Sequence, residues 1–499
     1  MNPRAEEREE QMSDIILILD FGGNQAYYTA RRLRSERFYC EILPGDTDPA
    51  EIIARAPRGV MLAGGETPDG ERAPALPFDP EVLGVPVLAF GCTARMLAER
   101  IGADYRGEAF HDAKAFMQFL PCPLFDGLSE ADRLFGRVDA YGSFPEGWTA
   151  IATTPDEVTP AFACLEKNLY GLQFYVESND PEGFTILENF AERVCGCPRN
   201  WTAADFAPAL IEDVRAKAGG MRVLIPVSGS VDPAVTAALL QKAIGARLSC
   251  LFIDTGFLRK GEAELVARCF RDEMGLNLIE VDARERFLKA LSGITDATQK
   301  RRVIREEFSA IFAEQYVKAG EFECMAEGTI YPDVLRRRPR IVGNMIDGCK
   351  RLDPLKYLFK EDVRALGRVL GVPEVLIERS AFESGGLAVR CLGEVTRERL
   401  EALREADAIF HEEIERAGLT KRIAQHFAIL TDLRTPGEDD GCVCALRALG
   451  TSNEGRAPAY KLPYDLMEAA VRRITGEVPG INRVVYDITG RPTASVEWE

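Results

Sequence analysis

The sequence predicts an α/β protein built on doubly wound parallel sheets. Short apolar runs that end in glycine turns, at residues 15–22, 59–65 and 85–91, alternate with helical stretches such as residues 25–34. A second series of the same kind begins at Arg222. Strands that alternate with helices in this way are typical of parallel sheets with helices packed on both faces.

Composition limits the protein to a few broad classes. The chain has 499 residues, 46% of them hydrophobic, which is enough for two to four domains with packed cores. Its formal net charge is −18 and its pI is near 5.0, so we expect no nucleic-acid partner and no anionic-membrane partner, since both require a basic face. A nucleotide pocket needs only a few local cations and is not excluded.

The lack of a recognisable targeting signal and the pattern of cysteines both predict a cytoplasmic protein. No apolar run reaches the ~20 residues of a membrane span, and residues 1–12 are polar and charged, so we predict a disordered tail there and no secretory signal. The thirteen cysteines are an odd number, and with three histidines they form no zinc-ligand spacing. We expect reduced, buried thiols, and a metal or disulfide site is the second alternative.

The stretch 222–235 has the layout of a phosphate loop. An apolar strand at 223–227 is followed by a turn of small residues and then by a helix, for which Asp232 is predicted as N-cap and Pro233 as the first helical residue. Such a turn directs backbone N–H groups and a positive helix end at one point, which suits an anion. The other interpretation is an ordinary strand-to-helix turn. A second strand follows at 251–256.

This loop resembles the Ser-Gly-Gly-x-Asp-Ser-Ser loop in the ATP-pyrophosphatase domain of GMP synthetases. The similarity continues through 254–260, 281–287, 327–333, 358–367 and 477–488, and it covers almost the whole chain from about Ile15. The chain is therefore identified as a member of that family. The resemblance implies three domains: a class I glutamine amidotransferase-like domain at 13–200, an ATP-pyrophosphatase domain at 201–375, and a small α+β C-terminal dimerisation domain at 376–499.

The amidotransferase motifs depart from the family at the residues that carry the chemistry. The family places its thiol in Gly-Ile-Cys-Tyr-Gly-Met-Gln, and a gapless match with residues 89–95 puts Gly91 at the nucleophile position and Cys92 one residue late. Tyr175 replaces the histidine base, and a phenol with a pKa near 10 is a poor base for a thiol. Glu177 is the remnant of the triad. The residues that keep the oxyanion turn are Gly64 and Gly65.

These departures predict that glutamine hydrolysis is absent. The alternative is a gap in the match, which would bring Cys92 to the nucleophile position as a shifted nucleophile.

The resemblance also implies an ATP site that has been weakened. Ser230 replaces a glycine, so its Cβ opposes close approach of phosphates, and Pro233 replaces a serine and lacks the backbone N–H. Asp232 keeps a carboxylate for magnesium. The predicted ATP-binding residues are Ser228, Gly229, Ser230, Val231, Asp232, Pro233, Asp254 and Gly256.

The site for the second nucleotide is changed as well. By resemblance, the residues that would contact it are Arg259, Gly386, Arg491 and Glu497. Glu383 stands in the family's nucleotide-phosphate loop, where a negative charge disfavours a phosphate.

The family reaction is the ATP-dependent amination of XMP to GMP, in purine biosynthesis. Because ligand-contacting loops differ while strands and helices stay similar, the first interpretation is a binding or regulatory paralogue that partners an active synthetase. Its ligands would be ATP with magnesium, held weakly, and XMP. The alternatives are an active ammonia-dependent GMP synthetase and a pyrophosphatase-type ligase with a changed substrate.

The C-terminal segment predicts a homodimer. Residues 461–499 are the least altered part of the chain, with a helix expected from Tyr460 to Ile474 and a strand at 483–488. Elements this short need a partner surface to bury a core. The alternative is that the segment packs only against its own pyrophosphatase domain.

Overall fold

The computed structural model describes residues 14–65, 74–156, 158–174, 176, 181–318, 322–335, 349–379, 385–435, 441–450, 457–490 and 498. The chain forms two compact units, Met1–Phe206 and Ala207–Glu499. Both are built on sheets with parallel strands, which confirms the predicted fold class.

The first unit contains a nine-stranded sheet in the order β2-β1-β3-β4-β9-β8-β7-β5-β6. Strands β1 to β4 and β9 are parallel, and the remaining pairings are antiparallel. The strands are β1 Ile16–Asp20, β2 Cys40–Pro44, β3 Gly59–Gly64, β4 Val87–Gly91, β5 Tyr105–Phe119, β6 Ala131–Tyr141, β7 Thr149–Thr153, β8 Ala161–Cys164 and β9 Leu169–Leu172. The helices are α1 Gln25–Ser35, α2 Pro49–Ala54, α3 Cys92–Ile101 and α4 Pro181–Asn189.

The second unit contains a five-stranded parallel sheet in the order β12-β11-β10-β13-β14. The strand order reverses at β10, and ligands of doubly wound sheets bind outside the carboxyl ends of the strands at such a point. The strands are β10 Val223–Val227, β11 Leu248–Asp254, β12 Leu278–Asp282, β13 Cys324–Ala326 and β14 Lys350–Leu352. The helices are α5 Ala203–Ala218, α6 Val231–Ile244, α7 Glu262–Ala267, α8 Arg284–Ala290, α9 Ala297–Lys318, α10 Tyr331–Leu335, α11 Lys360–Leu370 and α12 Glu374–Ile377.

A three-stranded sheet in the order β15-β16-β17 completes the second unit. The strands of this sheet and the two helices of the same region are α13 Arg397–Arg416, β15 Gln425–Thr435, β16 Gly441–Leu449, α14 Tyr464–Glu477 and β17 Ile481–Asp487. The last helix begins four residues later than the predicted Tyr460, because Pro463 has the extended ψ of 139° and forms its N-cap. One buried core joins this region to the parallel sheet, with Leu251 and Phe257 in the same cluster as Phe410 and Ile474.

Candidate functional sites

The turn between β4 and α3 holds the residue that the sequence match predicts for the nucleophile position. Its central residue is Gly91, with φ 67° and ψ −133°, a conformation that side-chain-bearing residues rarely adopt. A Cβ on Gly91 would lie 2.5 Å from the carbonyl oxygen of Gly64. Nucleophiles of this class of fold sit on a sharp, strained strand-to-helix turn. In this chain the residue at the point of that turn has no side chain.

Cys92 is the first residue of α3, and its environment is that of a buried thiol. It is 6% exposed, and its Sγ packs so closely over Gly64 that a Cβ on that glycine would overlap the sulfur. Burial raises the pKa of the Cys92 thiol, and the charge of Arg95 only partly opposes this. A nucleophilic cysteine needs the opposite, a lowered pKa in a partly exposed, electropositive setting.

Arg95, three residues further along α3, belongs to a buried ion network. Its Nη1 donates to the carbonyl oxygen of Arg137 at 2.9 Å, and its Nε lies 3.9 Å from a carboxylate oxygen of Asp139. Arg137 Nε donates to the other Asp139 oxygen at 3.0 Å. Sequence reasoning missed this network, and the only signal for it was an arginine inside an apolar helical run.

A backbone N–H of the predicted oxyanion turn is already hydrogen-bonded within the protein. The N–H of Gly65 donates to the carbonyl oxygen of Gly22 at 3.0 Å. Gly64 lies in β3, where its backbone approaches the β4–α3 turn. Tyr175 and Glu177, the predicted base position and triad remnant, lie outside the described residues.

The phosphate loop follows β10, at the strand where the sheet order reverses. Gly229 has φ 75°, whereas Ser230 has φ −77° and ψ 156° and forms the N-cap of α6. The prediction that Asp232 caps this helix is wrong, because the extended Ser230 supplies the first helical acceptor, to the N–H of Ala234 at 3.2 Å. The backbone conformation at position 230 is therefore one that a residue with a side chain adopts readily, and it does not require a glycine.

Pro233 is the third residue of α6 rather than the first. The N–H groups of the first helical turn have no intrahelical partner and are the ones that cradle an anion. Val231 and Asp232 supply two of them, and Pro233 cannot supply the third. Ser228 Oγ and Ser230 Oγ lie 3.1 Å apart and bond to each other across the loop.

Asp232 is held by a cation from another element. Lys360, at the start of α11, places Nζ at 2.8 and 2.7 Å from the two carboxylate oxygens. Burial raises the pKa of Asp232, while Lys360 acts in the opposite direction. Sequence reasoning missed Lys360, although it lies in the family-like stretch 358–367.

The magnesium prediction at Asp232 does not fit this arrangement. Both of its oxygens accept from Lys360, and among the described residues no group of three or more His, Cys, Asp or Glu side chains is placed to hold a metal ion. Magnesium in nucleotide sites takes free carboxylate oxygens together with phosphates, so no role for the ion is derived.

A second cation that sequence reasoning missed contacts the phosphate loop directly. Arg379 Nη1 donates to the carbonyl oxygen of Gly229 at 2.9 Å, and its other terminal nitrogen pairs with Glu262. Arg379 and Lys360 therefore place two positive side chains at the loop.

The end of β11 carries the predicted Asp254 and Gly256. Asp254 Oδ1 accepts the N–H of Gly256 at 2.9 Å, and Gly256 has φ 80°. The other Asp254 oxygen lies 3.7 Å from Arg284 Nε. Arg284 also bonds Asp282, and that hydrogen-bonded pairing lowers the pKa of Asp282 to about 2.

The predicted residues for the second nucleotide are only partly brought together. Arg259 is engaged within the protein, with Nε 3.0 Å from Asp407 Oδ2 and Nη2 donating to His426 O at 2.8 Å. Gly386 has φ 56° and lies directly against the backbone of Phe257, so closely that no Cβ fits. Arg491, Glu497 and Glu383 lie outside the described residues.

Comparisons with known proteins place most of the chain in described families. The family "Glutamine amidotransferase class-I" matches residues 17–194, "NAD synthase" matches 206–387, and "GMP synthase C terminal domain" matches 412–498. A protein of Caldicellulosiruptor saccharolyticus named "GMP synthase [glutamine-hydrolyzing]" is 39% identical, over 97% of this chain and 99% of its own length. Proteins of the same name from Carboxydothermus hydrogenoformans and Acetivibrio thermocellus are 38% and 39% identical, each over 98% of this chain and 100% of their own.

The fold and sites define an amidotransferase-like unit followed by a unit with an adenine-nucleotide type of phosphate loop. The chain belongs to the GMP synthase family, which confirms the family predicted from the sequence. Among the described residues, no helix is both long and apolar enough to cross a bilayer.

Proposed function

We propose that this chain is a GMP synthase homologue that has lost glutamine hydrolysis and keeps a weakened nucleotide site, and that it acts as a binding or regulatory paralogue. The relatives are named for GMP synthesis with glutamine hydrolysis. The single observation that carries the proposal is Gly91 at the point of the β4–α3 turn, with Cys92 buried beside it.

Two further observations support the loss of glutaminase activity. The oxyanion-turn amide of Gly65 is bonded to Gly22, and the interior next to the turn holds the ion network of Arg95, Arg137 and Asp139. A raised pKa lowers the thiolate fraction of Cys92, and the N–H of Gly65, already bonded to Gly22, is a poorer donor to an oxyanion.

The phosphate loop supports weak binding of ATP. Gly229 keeps the positive φ, and Lys360 and Arg379 supply positive charge, all of which favour phosphate. Pro233 removes one N–H donor, and Asp232 and Lys360 neutralise each other. The net expectation is an ATP site of lowered affinity.

The test is a set of assays on the full chain with ATP, magnesium chloride and XMP, run separately with glutamine and with ammonium. We expect no glutamate release, little AMP, and weak but measurable ATP binding by calorimetry. Glutamate release that Cys92→Ala abolishes, and that Cys122→Ala in the same unit leaves intact, would overturn the proposal.

A second candidate function is ammonia-dependent GMP synthesis. The observation that favours it is the pair of cations at the phosphate loop, together with Asp254 at the end of β11. AMP formed with ammonium but not with glutamine would select this candidate. The interpretation as a ligase with a changed substrate rests on the loops at 338–347 and 382–387, of which 338–347 and 382–384 lie outside the described residues.

A further inference from the structure

Four charged residues form a series of contacts that starts at the phosphate loop, in which two side-chain ion pairs are joined through a backbone N–H. Arg379 donates to Gly229 O at 2.9 Å and pairs with Glu262. The other Glu262 oxygen accepts the backbone N–H of Arg259 at 2.9 Å. The Arg259 guanidinium pairs with Asp407, Nε to Oδ2, at 3.0 Å. Arg379, Glu262, Arg259 and Asp407 are called here the arginine–carboxylate chain.

The far end of the arginine–carboxylate chain contacts β15 of the C-terminal sheet. Asp407 Oδ1 accepts the N–H of Ala428 at 2.9 Å, and Arg259 Nη2 donates to His426 O at 2.8 Å. The N–H of Ala428 donates to Asp407 rather than to a strand partner. Hydrogen exchange of this amide is therefore sensitive to the position of the Asp407 carboxylate.

All four side chains are shielded from water. The exposed fractions are 13% for Arg379, 11% for Glu262, 20% for Arg259 and 3% for Asp407. Exposed pairs are loose and screened, whereas buried charges must keep their partners or be left uncompensated. Glu262 bonds the Arg379 side chain and the Arg259 backbone, and the Arg259 side chain bonds Asp407, so a displacement of Glu262 acts on the backbone that carries the Arg259 guanidinium.

The near end lies at the point that a phosphate would approach. Arg379 lies so close to Gly229 that a Cβ on this glycine would be 2.5 Å from Nη1. The same arginine directly precedes residues 380–384, so the segment that enters the family's second nucleotide loop is tied to the first loop.

We propose that the arginine–carboxylate chain couples the state of the phosphate loop to the position of β15, with Arg379 as a positioning residue. An anionic phosphate at the loop competes with Glu262 for Arg379; the resulting shift of Glu262 moves the backbone N–H of Arg259, and the guanidinium of the same residue carries the shift to Asp407. Coupling of this kind requires a contiguous set of contacts with discrete arrangements. The ligand-dependent part of the proposal rests on the proposed nucleotide site; the contacts themselves do not.

The first test uses the protein without nucleotide and measures hydrogen exchange of peptides that cover residues 425–430. Arg379→Met should speed exchange there roughly five- to tenfold, the usual size of a coupling between sites, while peptides from β11 stay unchanged. Arg379→Lys, which keeps the charge, should restore part of the protection. Unchanged exchange at 425–430, or equal acceleration throughout the unit, would overturn the proposal.

A matched control for this test is Lys260→Met. Lys260 pairs with Glu405 of α13 and so joins the same two segments, but the two side chains are 57% and 41% exposed. Because an exposed pair is loosely held, its removal should leave exchange at 425–430 within the error of the wild type.

The second test adds ATP with magnesium chloride. In the wild type we expect protection of residues 228–232 and also of 425–430, and in Glu262→Gln protection of 228–232 alone. Protection of 228–232 alone in the wild type would overturn the coupling while leaving the nucleotide site intact. Protection of neither segment would count against the proposed nucleotide site, and the experiment without nucleotide then decides the inference by itself.

Discussion

Lys360 Nζ lies within 2.8 Å of both carboxylate oxygens of Asp232, although the two residues are 128 positions apart in the chain. Asp232 lies in the first turn of α6 and Lys360 in the first turn of α11. The pair therefore joins the helix that follows the loop after β10 to a second helix of the same unit.

Removal of Lys360 tests this relationship through stability. Lys360→Met leaves a largely buried carboxylate without its cation, and we expect the free energy of unfolding to fall by about 1–3 kcal/mol. Urea denaturation followed by circular dichroism measures this. Lys350→Met, at an exposed position of the same unit, serves as the control and should change little. A Lys360→Met midpoint equal to that of the control would mean that the pair contributes nothing.

Glutamine hydrolysis should be absent because the turn residue Gly91 carries no nucleophile and burial raises the pKa of the Cys92 thiol. We expect glutamate release to equal that of a protein-free blank, both in the wild type and in Cys92→Ala. An enzyme-coupled glutamate assay checks this, and a wild-type rate above the blank that disappears in Cys92→Ala would contradict it.

The two substitutions in the phosphate loop should contribute unequally to weak ATP binding. Pro233→Ser restores an N–H donor in the first turn of α6, and one charge-assisted hydrogen bond corresponds to roughly a tenfold gain in affinity. Ser230→Gly should give less, because Ser230 already has a negative φ of −77°. Calorimetric titration of ATP into both single variants and the double variant separates the contributions, and equal affinities in all four proteins would contradict the role of this loop.

Stability should fall in acid because of His426. Its pKa is lowered to about 3 from the ordinary 6.5, mainly by burial and then by the charge of Arg259. As pH falls below 6.5, the His426 imidazole becomes protonated in the unfolded chain, whereas in the folded protein it stays neutral until about pH 3. The free energy of unfolding therefore drops by at most ~1.4 kcal/mol per pH unit in that window. Urea midpoints at several pH values should show a flatter dependence in His426→Gln than in the wild type, and parallel curves would exclude His426 as the cause.

Dimerisation through the C-terminal region remains a prediction. Its described surface exposes large apolar side chains, among them Leu433 at 62%, Tyr464 at 74% and Ile488 at 79%. We expect light scattering to give twice the chain mass of 55.2 kDa at micromolar concentration, and Ile488→Glu to lower it toward one chain. The shared core of this region with the parallel sheet favours the alternative that it packs only on its own chain, and a wild-type monomer would establish that alternative.

Local patterns predicted much of the fold. The apolar run at 223–227 is β10, residue for residue, and the helical stretch predicted at 25–34 lies within α1, Gln25–Ser35. The spacing of apolar residues and the position of glycines at turns depend only on residues close together in the chain, so both can be recognised without knowledge of the tertiary structure. The placement of Gly91 at the nucleophile position stays a prediction; the structure shows a positive φ at that residue.

Long-range partners could not be read in the same way. Arg379 is hydrogen-bonded to Gly229, 150 residues away, and Arg95 is hydrogen-bonded to Arg137, 42 residues away. The spacing of these residues along the chain predicts neither contact. The capping error at Asp232 has another cause. Ser, Asp and Pro all favour helix starts, and the choice among neighbouring candidates depended on the extended backbone of Ser230.

Gly91 also has a mechanical consequence. A side chain in that backbone conformation costs of order 1–3 kcal/mol, which an enzyme tolerates because the strain presents its nucleophile. With glycine the same turn is made without the penalty, so the first unit keeps this strand-to-helix architecture at no cost in backbone strain. A cysteine placed at position 91 would have to displace the carbonyl of Gly64 and would therefore lower folding stability.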